Sequence, residues 1–195
     1  MLDNKKIEEI KKRVKTFIDE GIISKSKDKN HVDFFIDNSR DSLDSADVLF
    51  RLSTEESSRE SMGLESLNGF LWVINASYYS MFYLARALLE NEGVKLKAEQ
   101  SIHALAFDAL VYYFFLNGKL QKRLIDDLED AKEEASQLLG QKKAKELIDN
   151  YMSEKSKRAA FTYETGIRAM EAKAKTSLER AKTFSSEINR IIKRQ

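Results

Sequence analysis

A nearly continuous apolar stretch over residues 67–89 constrains the fold more than any other feature of the sequence. Drawn as a helix, it presents apolar side chains on both sides. Such a helix is buried on most of its surface or spans a membrane. Asn75 and Arg86 disfavour a span, because a central Arg costs roughly 2.5–3.5 kcal/mol on insertion scales. We therefore predict a buried central helix over about 64–91. We expect this helix to be buried both in its own bundle and in a dimer interface, and the small residues Ala76, Ser77 and Ser80 would allow another helix to approach closely.

The scarcity of turn-forming residues extends this prediction to the whole chain. The sequence has no proline and seven glycines, so long helices meet few breakers. Apolar residues recur at helical spacing, and no segment alternates with the period of a strand. We predict an all-α fold, an antiparallel bundle of about five to six helices with an extra N-terminal helix. The other predicted helices cover about 4–20 (capped by Asp3), 30 to the loop at 53–62 (capped by Asn30), 98–117, 119–139 (ended by Gly140), a segment from 141, and 154–193.

Two segments are predicted along the chain, an N-terminal helix with a linker (1–28) and the helical bundle (29–195). Cysteine is absent, which excludes disulfides, thiolate catalysis and cysteine-bound zinc. The first residues lack the apolar segment of a signal peptide, so a cytoplasmic location and no membrane association are expected.

Charge is distributed unevenly although the net charge is only +1. The first 29 residues carry +3, residues 30–140 carry −9, and residues 141–195 carry +7. Basic ends around an acidic middle favour a polyanionic partner. Attraction between the segments within one folded chain explains the pattern equally well.

His103 is the best candidate for chemistry. It lies in the first turn of the predicted helix over 98–117, where the helix dipole favours a neutral imidazole and the free N–H groups can bind a phosphate. Lys95, Lys97 and Ser101 lie just before it and complete a base, two cations and an anion site. The same spacing also fits a core histidine beside ordinary loop lysines. His31, the other histidine, is interpreted as structural.

Acidic clusters are weaker candidates for a metal site. Asp126, Asp127, Glu129 and Asp130 resemble one of the two aspartate-rich motifs of helical prenyl-transfer enzymes, but no second motif is present. Neither histidine follows a Glu at the spacing of a di-metal bundle. We interpret these carboxylates, and the acidic face of the helix that begins at residue 30, as solvated surfaces, and predict neither a metal nor another cofactor.

A family resemblance rests on residues 76–89, with the sequence ASYYSMFYLARALL, followed by a Gly turn and a Lys before a new helix. This run resembles the HEPN (higher eukaryotes and prokaryotes nucleotide-binding) superfamily. Its likeness continues along the last helix through Arg158, Tyr163, Ala174, Ala181 and Phe184. It covers about residues 31–192 and leaves the N-terminal helix outside.

The resemblance implies a helical bundle that dimerises, often as a metal-independent ribonuclease of toxin–antitoxin, CRISPR or antiviral systems. The nuclease motif of that superfamily is an Arg, four to six residues and a His, and Lys97 with His103 is the nearest match here. Ala98 takes the position after the Arg, and Glu99 takes a position of the related Lys-Thr-His variant.

We accordingly expect a homodimer that binds or cleaves RNA, or binds nucleotides. Lys97 and His103 are the predicted catalytic residues, and Lys95, Glu99 and Ser101 the predicted phosphate- or nucleotide-binding residues. The alternative is a non-catalytic helical module that partners a nucleotidyltransferase or an antitoxin.

Overall fold

The chain folds as a helical bundle with one very small sheet, in a computed structural model that describes residues 2–97, 101–151 and 160–193, with side chains for 2–97, 101–140 and 170–193. Its elements in chain order are α1 (Asn4–Asp19), β1 (Ile23–Lys25), α2 (Val32–Thr54), α3 (Glu56–Ser61), α4 (Phe70–Asn91), β2 (Val94–Leu96), α5 (Ile102–Leu110), a π-helical segment (Val111–Phe115), α6 (Lys122–Tyr151) and α7 (Ala160–Ile192). This architecture confirms the predicted all-α bundle and its extra N-terminal helix.

Helix α4 forms the centre of the bundle, as the apolar stretch predicts. It packs against α2, α5, α6 and α7, and 15 of its 22 residues are buried. Within the part of the chain that the structure describes, no helix combines the length and hydrophobicity of a membrane span.

The small residues of α4 allow a close helix contact, but that contact lies within the chain. Ser39 of α2 donates a hydrogen bond from Oγ to the carbonyl oxygen of Ser80 over 2.8 Å. Ser77 and Ser80 are both buried. The helix that approaches these two serines closely is therefore α2 of the same bundle, which covers them together with the core.

Helix α1 shares the core of the bundle. Asp3 caps it, since its side chain accepts a hydrogen bond from the N–H of Lys6. Ile10 and Val14 are fully buried in the cluster that α4 and α5 also line. The predicted boundary at residue 28 thus separates two segments that have a common core.

Two short strands correct the prediction that the chain has none. β1 and β2 pair antiparallel, with Ser24 opposite Lys95. Each strand has three residues, too few for the alternation that identifies a strand in a sequence. The pairing continues on both sides, because the N–H of Ser26 donates to the carbonyl of Gly93 over 2.8 Å and that of Lys97 to the carbonyl of Ile22 over 2.9 Å.

Several helix boundaries differ from the prediction. Asn30 does not cap α2, because the helix starts at Val32 and His31 occupies the capping position, without a side-chain capping hydrogen bond. The predicted loop at 53–62 contains α3, and α4 starts at residue 70 rather than 64. Gly140 does not end a helix, since α6 runs through it as a single element.

Candidate functional site

The imidazole of His103 is held by aromatic side chains of α4. His103 is the second residue of α5, after Ser101, whose φ of 60° gives the chain a left-handed turn before the helix. Its Nδ1 lies 2.6 Å from the hydroxyl of Tyr78, a hydrogen bond in which either group can donate. Its ring lies 4.1 Å from the ring of Phe82, measured between centroids, and Tyr79 meets it edge-on at 5.7 Å. These contacts fix the position and the plane of the imidazole.

The surroundings of His103 favour its neutral form. Burial lowers the pKa of His103, and the positive charges of Lys132 and Arg86 lower it further. Burial also raises the pKa of Tyr78, so the phenol keeps its proton. A neutral phenol and a neutral imidazole can share their hydrogen bond in either direction.

This pair determines what Nε2 of His103 presents to a ligand. When the Nδ1–H of His103 donates to Tyr78, Nε2 carries a lone pair and can take a proton from a hydroxyl. When Tyr78 donates to Nδ1, Nε2 carries a hydrogen and can donate to a phosphate oxygen. The predicted role of His103 as a general base or acid would therefore depend on its hydrogen bond with the hydroxyl of Tyr78.

Lys95 and Lys97 both line a cleft beside this site, but they differ in whether their ammonium groups are ion-paired. Lys95 Nζ forms an ion pair with the buried carboxylate of Glu90 and lies 4.0 Å from Asp28. Lys97 is exposed, and its ammonium group has no ion-pair partner within the described residues. Of the two predicted cations, Lys97 is the one that remains available to an anion.

The remaining predicted residues contribute less. Ser101 is exposed, and its side chain makes no capping hydrogen bond with α5. Its carbonyl accepts hydrogen bonds from the N–H groups of Ala104 and Leu105 over 3.0 Å. Ala98 and Glu99 lie outside the described residues.

Arg86 links His103 with the cleft, and the sequence reasoning missed it as a site residue. Its charge lowers the pKa of His103, and the residue lines the same cleft as Lys97. Its guanidinium lies over the ring of Phe35 of α2, 4.6 Å from the centroid. Its spacing in the sequence could have identified it. Tyr78, Phe82 and Arg86 are four residues apart and therefore lie on one face of α4.

His31 also belongs to this cleft. Its Nδ1 lies 3.3 Å from Oε1 of Glu90, and its side chain is 64% exposed. The interpretation of His31 as a structural residue at a helix start misses this position, because the contact joins α2 to the far end of α4.

Comparisons with protein-family models, with curated proteins and with solved structures found no match. The chemistry of the site is therefore inferred from its own residues. Among the C-terminal positions of the HEPN resemblance, Ala174, Ala181 and Phe184 are buried on α7. Arg158 and the side chain of Tyr163 lie outside the described residues.

The aspartate-rich segment of α6 is engaged in ion pairs. Arg180 of α7 lies 3.5 Å from Asp127, 3.8 Å from Asp130 and 3.2 Å from Glu134. In the described ranges, no group of three or more His, Asp or Glu residues could hold a metal ion. These carboxylates join two helices, which explains their clustering more specifically than a solvated surface does.

An aromatic stripe of α4 is exposed next to the His103 site. Trp72 is 52% exposed and Tyr79 is 39% exposed, and Ala76 and Tyr83 lie between and beyond them at helical spacing. Tyr79 and Tyr83 also line a shallow groove of about 510 Å³ against α2. Because Tyr79 contacts His103 directly, this stripe adjoins the candidate site.

Proposed function

We propose that the chain is a HEPN-type cytoplasmic protein that binds RNA and cleaves it as a homodimer, in the manner of a toxin-like, metal-independent endoribonuclease. The observation that supports this proposal best is the 2.6 Å contact between His103 Nδ1 and the hydroxyl of Tyr78. It orients a neutral imidazole beside a cleft that contains Lys97 and Arg86. Proton transfer and phosphate binding are the two capabilities that RNA cleavage requires.

The proposed reaction uses the 2′-hydroxyl of the RNA as its nucleophile. Nε2 of one His103 takes the proton of that hydroxyl, and the oxygen attacks the adjacent phosphorus. The bond from phosphorus to the 5′-oxygen breaks, and the leaving oxygen receives a proton from the second His103, in the protonated form that the nearby negative charge of the bound phosphate favours. The products are a 2′,3′-cyclic phosphate and a 5′-hydroxyl end. Lys97 and its positive charge stabilise the phosphate oxygens through the reaction.

A homodimer would supply both histidines of this scheme. One chain offers a single His103, whereas a two-fold axis places two copies of any residue near that axis opposite each other. The exposed stripe of Trp72 and Tyr79 supports this arrangement, since it is aromatic and lies directly beside His103. Large exposed aromatic side chains are enriched at protein interfaces.

Cleavage of a single-stranded RNA by purified protein in the presence of a chelator tests the proposal. We expect His103→Ala to lower the cleavage rate by at least about a hundredfold, since general acid–base catalysis contributes typically 10²–10⁴-fold. Lys5→Gln, an exposed charge change on α1, serves as the matched control and should cleave like the wild type. Far-ultraviolet circular dichroism would verify that both variants fold.

Undiminished cleavage by a folded His103→Ala variant would contradict the catalytic assignment. Cleavage that requires a divalent cation would contradict the metal-independent scheme.

The alternative function is a non-catalytic module that partners a nucleotidyltransferase or an antitoxin. The exposed stripe of α4 favours it as well, because that stripe can receive another protein as readily as a second copy. Absence of cleavage by folded wild-type protein, together with a stable complex with such a partner, would favour this function over the first.

A further inference from the structure

The shallow groove between α2 and α4 has the composition of a site for an organic cation. Its volume is about 510 Å³. The described residues that line it are Asn38, Asp41, Ser42 and Ser45 of α2 and Tyr79 and Tyr83 of α4. Among them is one carboxylate, and none is a lysine, an arginine or a histidine. Neither His103 nor Lys97 lines the groove, so the cleavage scheme gives it no role.

Asp41 supplies an uncompensated negative charge at this groove. The residue is exposed, and its carboxylate has no ion-pair partner within residues 2–97, 101–140 and 170–193. Two other carboxylates of α2 are paired, Asp37 with Arg40 over 2.6 Å and Asp47 with Lys182. The surrounding segment 30–140 carries a net charge of −9. The groove therefore attracts cations and repels phosphates and nucleic acids.

The polar side chains of α2 add hydrogen-bond acceptors along the groove. The hydroxyl of Ser42 donates to the carbonyl of Asn38 and that of Ser45 to the carbonyl of Asp41, each over 2.7 Å. Because each hydroxyl hydrogen is used inside the helix, the oxygen can still accept a hydrogen bond from a ligand. Nδ2 of Asn38 donates to the carbonyl of Phe34 over 2.7 Å, which leaves its Oδ1 able to accept. Acceptors thus follow α2 from residue 38 to residue 45, over about 10 Å at 1.5 Å per residue.

Two tyrosine rings form the opposite side of the groove. Tyr79 and Tyr83 lie one turn apart on α4, with 6.0 Å between their ring centroids, and Tyr79 is 39% exposed. An aromatic ring attracts an ammonium group that lies over its face within about 6 Å of its centroid. Methylene groups also pack against such rings. This side of the groove therefore suits a ligand in which charge alternates with hydrocarbon.

We propose that this groove binds a linear polyamine. One ammonium group pairs with Asp41 and lies against Tyr79, the others donate to the acceptors on either side, and the methylene chains lie along the two rings. The length of the row of acceptors is comparable with that of an extended triamine, and the volume lies within the range of small-molecule sites. A metal ion fits less well, because in the described ranges no three acidic or histidine side chains converge.

Isothermal titration of the full-length protein with spermidine tests this proposal, at about 0.15 M sodium chloride so that diffuse attraction is screened. We expect spermidine to bind with a submillimolar dissociation constant. Butylammonium, which has a single ammonium group, should bind at least about tenfold more weakly. The absence of measurable spermidine binding at millimolar concentration would overturn the proposal.

Three competitors test the class of ligand. Equal affinity for butylammonium and spermidine would overturn the assignment to a polyamine. Displacement of spermidine by an equimolar amount of magnesium would overturn it in favour of diffuse attraction between charges. Tighter binding of trilysine than of spermidine would overturn it in favour of a basic protein segment.

Variants assign the binding to the groove. Asp41→Asn should weaken spermidine binding about fivefold, near the upper end of what an exposed ion pair contributes. Tyr79→Leu should weaken it about threefold through the loss of one exposed contact between a cation and a ring. Asp33→Asn makes the same change of charge at an exposed position of α2 outside the groove, and it should bind like the wild type. Equal weakening in Asp33→Asn and Asp41→Asn would contradict the site.

A measurement on the wild type does not depend on how any variant folds. The ring proton resonances of Tyr79 and Tyr83 should move when spermidine is added, because the ligand lies against both rings. Unmoved resonances at a spermidine concentration that saturates the calorimetric signal would place the binding elsewhere and contradict the site.

Discussion

At the scale of single residues, His103 and Tyr78 form the pair on which the proposed chemistry depends. Folding lowers the pKa of His103, chiefly through burial. Between its folded and unfolded pKa values, the unfolded chain binds the additional proton, so this group reduces stability as the pH falls below about 6.5. Above that pH its effect on stability vanishes, because both states are neutral.

Lys132 offers a direct test of the electrostatics at His103. Lys132→Gln should raise the pKa of His103, because it removes one of the positive charges that add to burial in lowering it. Proton resonances of the imidazole followed by NMR between pH 4 and 8 would report the change, with His103→Ala assigning the signals. Lys119→Gln, whose charge pairs with Glu92, should leave the titration unchanged. An unaltered pKa in Lys132→Gln would contradict the assigned cause.

Sequence reasoning located part of the candidate site. His103 and Lys97 were identifiable because both lie near a predicted helix start, a feature of local sequence. Phe35 over Arg86 and Glu90 beside His31 were not identifiable, since they join α2 to α4 and depend on how those helices pack. A sequence pattern shows which residues share a face of a helix, but it does not show how two helices are aligned against each other.

At the scale of elements, the turn between α4 and β2 sets the direction of the segment that carries Lys95 and Lys97 into the candidate site. Gly93 has a φ of +73°, and a Cβ added there would lie 2.2 Å from the carbonyl oxygen of Ser26. Gly118 has a φ of +69°, but an added Cβ would meet nothing within 4 Å. Comparing alanine substitutions at the two glycines therefore distinguishes the free-energy cost of a left-handed conformation from that of a steric clash.

We expect Gly118→Ala to lower the free energy of unfolding by about 1 kcal/mol, the cost of a left-handed L-residue. Gly93→Ala should lower it by at least about twice as much, because the β1–β2 pairing must also move. Urea unfolding of both variants measures the difference. Equal losses would show that the contact with Ser26 relaxes without cost.

Elements of the fold were predictable in proportion to their length. The long helices α2, α4 and α7 show many turns of apolar periodicity, so their existence follows from the sequence. β1 and β2 lack enough residues for any period to show. Gly140 illustrates the limit of a local rule, since good helix formers on both sides carry α6 through a glycine that elsewhere ends helices.

At the scale of the whole molecule, part of the uneven charge is matched by contacts between distant segments. The basic ends of the chain pair with its acidic middle, through Lys6 with Glu129, Arg13 with Asp108, Arg180 with Asp127, and Lys182 with Asp47. These contacts support the second reading of the charge pattern, attraction within one folded chain. They also reduce the basic surface that remains for an RNA backbone.

The exposed stripe of α4 predicts the association state. Trp72→Lys should convert a dimer to a monomer, because a charged side chain in the centre of an aromatic interface is strongly unfavourable. Met62→Lys, a change at a 62% exposed position after α3, should leave the mass unchanged. Size-exclusion chromatography with light scattering would measure both variants. A wild type that is already monomeric would contradict the proposed dimer.

The pairing of β1 with β2 also bears on how the protein is made. Its two strands are separated by about seventy residues of sequence, so the first cannot pair until the second has left the ribosome. Until then Ile10 and Val14 of α1 lack the α4 and α5 side chains that complete their buried cluster, because α4 and α5 are synthesised later than β1. The apolar face of α1 therefore stays incompletely covered until α5 (Ile102–Leu110) has been synthesised. Because Asp28 follows β1 closely and Leu96 belongs to β2, the two sides of the cleft meet only once these strands have paired, a contact between residues distant in sequence.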